Sequence, residues 1–226
     1  MKTKRTFYCE LAYILGVVVL ALGTTLMERA DFGLSMVTAP AYILHLKVSQ
    51  FLPFFTFGTA GYVFQAFILI ALSIIMRRVK ISYFLSFATA FLFGVVLDLE
   101  MSLVALLPLD GTVWRVVLYL LGLVLCSTGV ALLFHTYLPP EAYDLFVKDI
   151  SQKFSIPISK TKTAYDVGSC LLGIVLSLCF FGTFVGVKWG TIVCTLINGT
   201  LIGKISAHLD KNYEFSDALP LRKWMK

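Results

Sequence analysis

Long apolar blocks alternate with short polar breaks along this chain, at about residues 8 to 28, 56 to 76, 81 to 98, 114 to 135, 165 to 187 and 189 to 207. Most approach the roughly 20 apolar residues needed to cross about 30 Å of hydrocarbon as a helix. The pattern repeats. From Tyr13 the run YILGVVVLALGTTLM aligns without gaps on YLLGLVLCSTGVALL from Tyr119, with Gly16 on Gly122 and Gly23 on Gly129. Each copy continues with a short segment opening on Gly or Pro, then a second and a third span. Three crossings per copy is an odd number, so the second copy must enter the membrane upside down. Inverted repeats of this kind are a recurring plan of secondary transporters. The expected fold is therefore an all-α membrane protein with six transmembrane helices, built as two inverted three-span repeats. The first covers 1–108, the second 109–210, and a cytoplasmic tail covers 211–226.

The segment after each first span breaks the spanning pattern. Residues 136 to 154, TYLPPEAYDLFVKDISQKF, open on Pro139 and Pro140. Glu141 and Asp144 come early and Lys148 and Lys153 late, in keeping with a helix dipole. Tyr143, Phe146, Val147, Ile150 and Phe154 predict one apolar face. The matching segment, ADFGLSMVTAPAYILHLKV at 30 to 48, offers Ser35 or Thr38 as a cap and Pro40 in the first turn. These short amphipathic helices, at 33–47 and 139–153, are either re-entrant or interfacial. A re-entrant half-helix presents free N–H groups at membrane depth, which suits a binding site.

Composition fits this plan. Of 226 residues, 58% are hydrophobic and 14% charged, with a mean hydropathy of +0.87. A soluble core could not hide so much apolar surface. The net charge of +6 gathers on one side of the predicted membrane. With the N-terminus inside, only Arg29, Lys47, Arg115 and Lys188 fall outside. Both termini are then cytoplasmic, the protein is multi-pass, and the basic residues call for no nucleic-acid partner. The first span is too long for a signal peptide and recurs at Tyr119, so it is retained. Five scattered cysteines form no Cys-x-x-Cys pair, and three separated histidines lack ligand spacing. No metal or cofactor is expected. Nor does any Walker loop or nucleophile elbow suggest an enzyme.

Ionisable and polar groups within spans mark candidate chemistry, because burying a charge at the bilayer centre costs at least about 2.5–3.5 kcal/mol. Asp98 and Asp166 are the candidate coupling or cation-binding residues. Gln65 falls near Asp166 by repeat alignment, Glu141 and Asp144 stand ready to gate, and Ser35 and Thr38 join them as candidates for holding substrate or coupling ion. Glu10 reads as interfacial. Small residues spaced by four, Ser86, Ala90 and Gly94 in the third span and Thr195, Gly199 and Gly203 in the sixth, predict that these two spans pack closely at the centre.

The loop FGLSMVTAPAYIL, the LPPEAYDLF segment and the run WGTIVCTLINGTLIG at 189 to 203 resemble the YitT/YczE-like family of bacterial integral membrane proteins. The likeness spans nearly the whole chain. Family loops carry Gly-x-x-Pro followed by an acidic residue. This chain keeps Pro139, Pro140 and Asp144 but places Thr38, Ala39 and Pro40 in the first copy. The resemblance implies a bacterial cytoplasmic (inner) membrane and a six-span fold, and no substrate. The residues point to a small secondary transporter of an unidentified solute in a lipid bilayer, with a homodimer compatible. The alternatives are a substrate-binding subunit served by a separate ATPase and a membrane assembly protein that transports nothing.

Overall fold

The computed structural model describes residues 5–106 and 111–219, so the repeat boundary expected at 108/109 and the end of the tail lie outside the described residues. The long helices are α1 (Cys9–Ala30), α3 (Phe57–Met76), α4 (Ile81–Val104), α5 (Thr112–Phe134), α7 (Ile158–Phe181) and α8 (Trp189–Asn212). All six are long and apolar enough to cross a membrane. Two short helices, α2 (Ala39–Val48) and α6 (Ala142–Phe154), follow the first span of each triad. A short strand before α1, β1 (Arg5–Tyr8), pairs in parallel with one after α8, β2 (Tyr213–Ser216). The fold is thus two inverted three-span repeats, each with its short helix in the same place.

Local chemistry sets the ends. Thr56 Oγ1 accepts from the Thr59 amide to start α3, and α1 and α3 stop at residues with positive φ, Asp31 and Arg77. The fifth span begins seven residues earlier than its apolar block. Pro157 initiates α7, and its first turns hold Lys160, Lys162 and Asp166, polar residues that hydropathy discounts.

The centre is α1 against α5, the most extensive contact in the molecule. In each, 56% of the apolar stretch is buried, against 11% in α7 and 6% in α8. A Cβ on Gly23 would lie 2.5 Å from the Cys126 amide nitrogen, and one on Gly129 would lie 2.6 Å from the Leu20 nitrogen. These glycines therefore set the helix separation. The expectation that the third and sixth spans form the central pair is corrected here: α4 and α8 have no substantial mutual contact. Ser86 and Ala90 are buried, and Gly94 packs on Gly58 of α3. On α8, Cβ atoms at Gly199 and Gly203 would meet nothing within 4 Å. A four-residue spacing of small side chains permits close approach but does not choose the partner.

Repeat symmetry reaches individual bonds. The aligned tyrosines each tie the first span to the third: Tyr13 OH bonds Thr89 Oγ1 of α4 at 2.7 Å, and Tyr119 OH donates to the Gly190 carbonyl of α8. Each short helix packs on both second spans, α2 on α3 and α7, and α6 on α7 and α3.

Candidate functional site

The two short helices are half-helices that enter the bundle from opposite faces. The α6 end is fixed by side chains. The Ala142 amide donates to Gln65 Oε1 at 2.9 Å, and Gln65 lies about 16 Å along α3 from its Met76 end, near mid-span. Before it, Ser86 Oγ donates to the Pro140 carbonyl at 2.7 Å and Thr89 Oγ1 to the Pro139 carbonyl at 3.0 Å. Non-helical backbone at this depth is tolerated because protein groups satisfy it. From there α6 climbs back to the face that holds β1 and β2. At that face Lys153 Nζ donates to the Ile75 carbonyl, and Asp149 accepts from Lys80 Nζ at 2.7 Å and Tyr83 OH at 2.8 Å. Of the apolar face expected for α6, Tyr143 and Val147 are buried and Phe146 and Ile150 are half-buried against the Leu69 and Leu72 cluster, while Phe154 is exposed; Asp149 and Ser151 are buried as well. Packed on α3, α4 and α7, α6 leaves Lys148, Gln152 and Lys153 exposed.

At the other face the chain descends from α1 through residues 32–34. The Leu34 amide donates to the Gly186 carbonyl at 3.1 Å, and the Gly190 amide to the Phe32 carbonyl at 2.8 Å. Gly33 has φ of +106°, and a Cβ there would fall 2.5 Å from Thr191 Oγ1, so only glycine fits this turn. Ala39, at the start of α2, lies against Gly173, about 12 Å from the Phe181 end of α7. Neither Ser35 nor Thr38 caps α2 with its side chain. Thr38 Oγ1 donates to the Ser35 carbonyl at 3.1 Å, the Ala39 amide is already taken by that carbonyl, and Pro40 has no N–H to offer.

The α6 half-helix gathers the polar residues. Glu141, its N-terminal flanking residue, is only 8% exposed, with Oε1 3.5 Å from Gln65 Nε2. Burial pushes this carboxyl up to about 8. The nearby Asp144 charge adds to the rise, while Gln65 and Lys162 oppose it. Lys162 Nζ of α7 lies 3.5 Å from Asp144 Oδ1 and 3.1 Å from Asp166 Oδ1. Tyr143 is buried beside Glu141, and Tyr165 closes the cluster, with Lys162 Nζ 5.9 Å from its ring centre. The arrangement can take up a proton and exchange one charge partner for another.

Four of the sequence candidates, Gln65, Glu141, Asp144 and Asp166, therefore meet in one place. Asp98 lies elsewhere, near the opposite face. There it accepts from Thr56 Oγ1 at 2.6 Å and the Gly58 amide at 2.8 Å, binding α4 to the start of α3. Ser35 and Thr38 belong to the α2 entrance, and Thr195 donates to the Thr191 carbonyl within α8. Glu10 receives Tyr137 OH at 2.6 Å and the Ala218 and Leu219 amides, holding the C-terminal segment. Sequence reasoning missed Lys162, whose spacing of four from Asp166 was its one signal, and the hydroxyls of Tyr13, Ser86 and Thr89 around the prolines.

A family of unknown function, DUF6198, matches residues 7–207. No curated protein and no solved structure matches.

Proposed function

Because the chain belongs to the family DUF6198, whose description names no activity, we propose from its own geometry that it is a small secondary transporter. It moves a small solute by alternating access between its inverted repeats and couples that movement to protons. Kinship with the YitT/YczE-like proteins and a bacterial inner membrane are part of this proposal. So is the orientation that puts both termini and the α6 face in the cytoplasm, where most Lys and Arg fall. In this reading the protein is a carrier and not an enzyme.

The observation that carries it is Glu141, a buried carboxyl at the mid-depth end of a re-entrant half-helix, beside an ion-paired cluster on a second helix. Irregular backbone and ionisable groups at that depth are costly, and they are characteristic of a substrate path. Glu141 is the proton-carrying group, Asp144, Lys162 and Asp166 hold the solute, and Gln65 positions the helix end.

Reconstitution into proteoliposomes tests this. Gradients of amines, organic acids and neutral solutes are imposed while a trapped dye reports internal pH. One class should drive a saturable pH change that Glu141→Gln and Asp166→Asn abolish. Silence with every class, from protein shown to be folded and inserted, would reject the transporter reading.

A further inference from the structure

Two carboxylates, Asp144 and Asp166, share one ammonium, that of Lys162. The Asp166 Oδ1 atom is sealed from solvent and makes no aligned hydrogen bond, so its 3.1 Å approach to Lys162 is a charge contact. Beside this pair, Glu141 is more than nine-tenths buried. The only hydrogen bond to its carboxyl among the described residues is the long one from Gln65 Nε2. The cluster is thus short of positive charge whether or not Glu141 holds a proton. An organic anion entering it would meet repulsion in a low-dielectric setting, and a cation would meet attraction.

Aromatic rings supply an independent indication. Lys162 Nζ stands 5.9 Å from the Tyr165 ring centre, and that ring lies 6.4 Å from Tyr143 and 5.5 Å from Phe146. One ring face beside an ammonium flanked by carboxylates, with two further rings packed on that ring, favours an alkylammonium group, whereas a hard metal ion calls for a shell of oxygens. Lys162 sits where such a ligand would sit.

Building on the transport reading above, we infer that the solute is a small monovalent organic cation, an alkylammonium. Its head group displaces the Lys162 ammonium from between Asp144 and Asp166, against Tyr165, and competes with a proton for Glu141. The groups facing Glu141 are Tyr13 of α1, Cys126 of α5, Tyr143 and Asp144 of α6, and Lys162 and Tyr165 of α7. Gln65 of α3 and the Ser86 and Thr89 hydroxyls of α4 complete the surroundings. Lys162 is the one cation in this set.

The test titrates the purified full-length chain in mild detergent with tetramethylammonium, ethylamine, sodium, acetate and glycerol. Thermal stabilisation is read at pH 6 to 9. Tetramethylammonium keeps its charge throughout, so its pH dependence belongs to the protein. Saturable stabilisation by the two ammonium probes is expected, with apparent Kd falling about tenfold per pH unit below the Glu141 titration. Glu141→Gln should flatten that dependence, Tyr165→Ala should weaken binding about tenfold, and Asp166→Asn should abolish it. Lys162→Met should tighten binding by removing the internal competitor. Stabilisation by acetate that Lys162→Met abolishes, or by sodium alone, would overturn the organic-cation inference and leave the carrier reading standing. No stabilisation by any probe also overturns it, and the proteoliposome measurement then decides whether transport falls with it.

Discussion

At Glu141 two influences oppose each other. Burial, helped by the Asp144 charge, favours the neutral acid, while Gln65 and Lys162 favour the carboxylate, and burial wins, carrying the group up to about 8 from 4.5. The folded protein therefore keeps a proton that the unfolded chain loses as pH passes 4.5. The resulting stability is fully present below pH 4.5 and is lost as pH rises through about 8, a difference on the order of a few kcal/mol. Thermal midpoints in detergent should fall from pH 5 to about pH 8 and level off above it, and Glu141→Gln should flatten the slope; an unchanged slope in that variant would assign the titration elsewhere. Gln65→Leu removes the acceptor for the buried Ala142 amide and should cost about 1–3 kcal/mol at any pH, read as a lower midpoint. Gln65, Glu141, Asp144 and Asp166 were legible in the sequence because polar groups stand out in apolar surroundings. Asp98 stood out equally and serves to clasp α3 to α4, since hydropathy does not separate a binding carboxylate from one satisfied by a helix end. Lys162 was hidden among the basic residues that orientation alone would explain.

Helices that look alike in composition do different work here. Glycines spaced by seven in α1 and α5 bring these two together at the centre, whereas Gly199 and Gly203 of α8 face open space. Gly129→Ala sets a methyl 2.6 Å from the Leu20 backbone nitrogen, where only a backbone shift makes room, and should destabilise the fold by about 1–3 kcal/mol. Gly199→Ala meets nothing and should leave the thermal midpoint unchanged or slightly raised through helix propensity. Equal losses at the two positions would mean that α8 is packed in solution as α1 is. The short helices were legible as elements from their prolines and charge order. Their depth was not, because it depends on which side chains meet Pro139, Pro140 and Ala142, and those lie more than 40 residues away in sequence. Topology has its own check. In a cysteine-free background, a cysteine at Phe51, exposed after α2, should react with an impermeant maleimide from outside intact cells, and one at Lys148 of α6 should react only after lysis.

Across the whole molecule the repeats share a plan but not a shape. The odd span count and the Tyr13/Tyr119 alignment were enough to give the plan, since inversion follows from topology alone. The difference in shape lies in how second and third spans meet. In the first repeat α3 and α4 touch so closely that a Cβ on Gly58 would fall 2.1 Å from the Gly94 carbonyl oxygen. In the second, α7 and α8 have no comparable contact, and Gly168, Gly199 and Gly203 face open space. Two similar sequences in unlike arrangements have a physical consequence if the protein alternates: the second state is reached when the repeats exchange arrangements, α7 and α8 closing as α3 and α4 part. Closure would bring the Gly168 face of α7, next to Asp166, towards the Gly203 face of α8 and shut the acidic cluster from its own side. Cysteines at Gly168 and Gly203 should then cross-link slowly in the resting protein. They should cross-link several-fold faster once a transported solute or a pH gradient drives cycling, while a pair on α4 and α8 should stay unreactive throughout. A rate indifferent to both would mean that the open angle between α7 and α8 is fixed, and that alternation, if it occurs, runs through another part of the bundle.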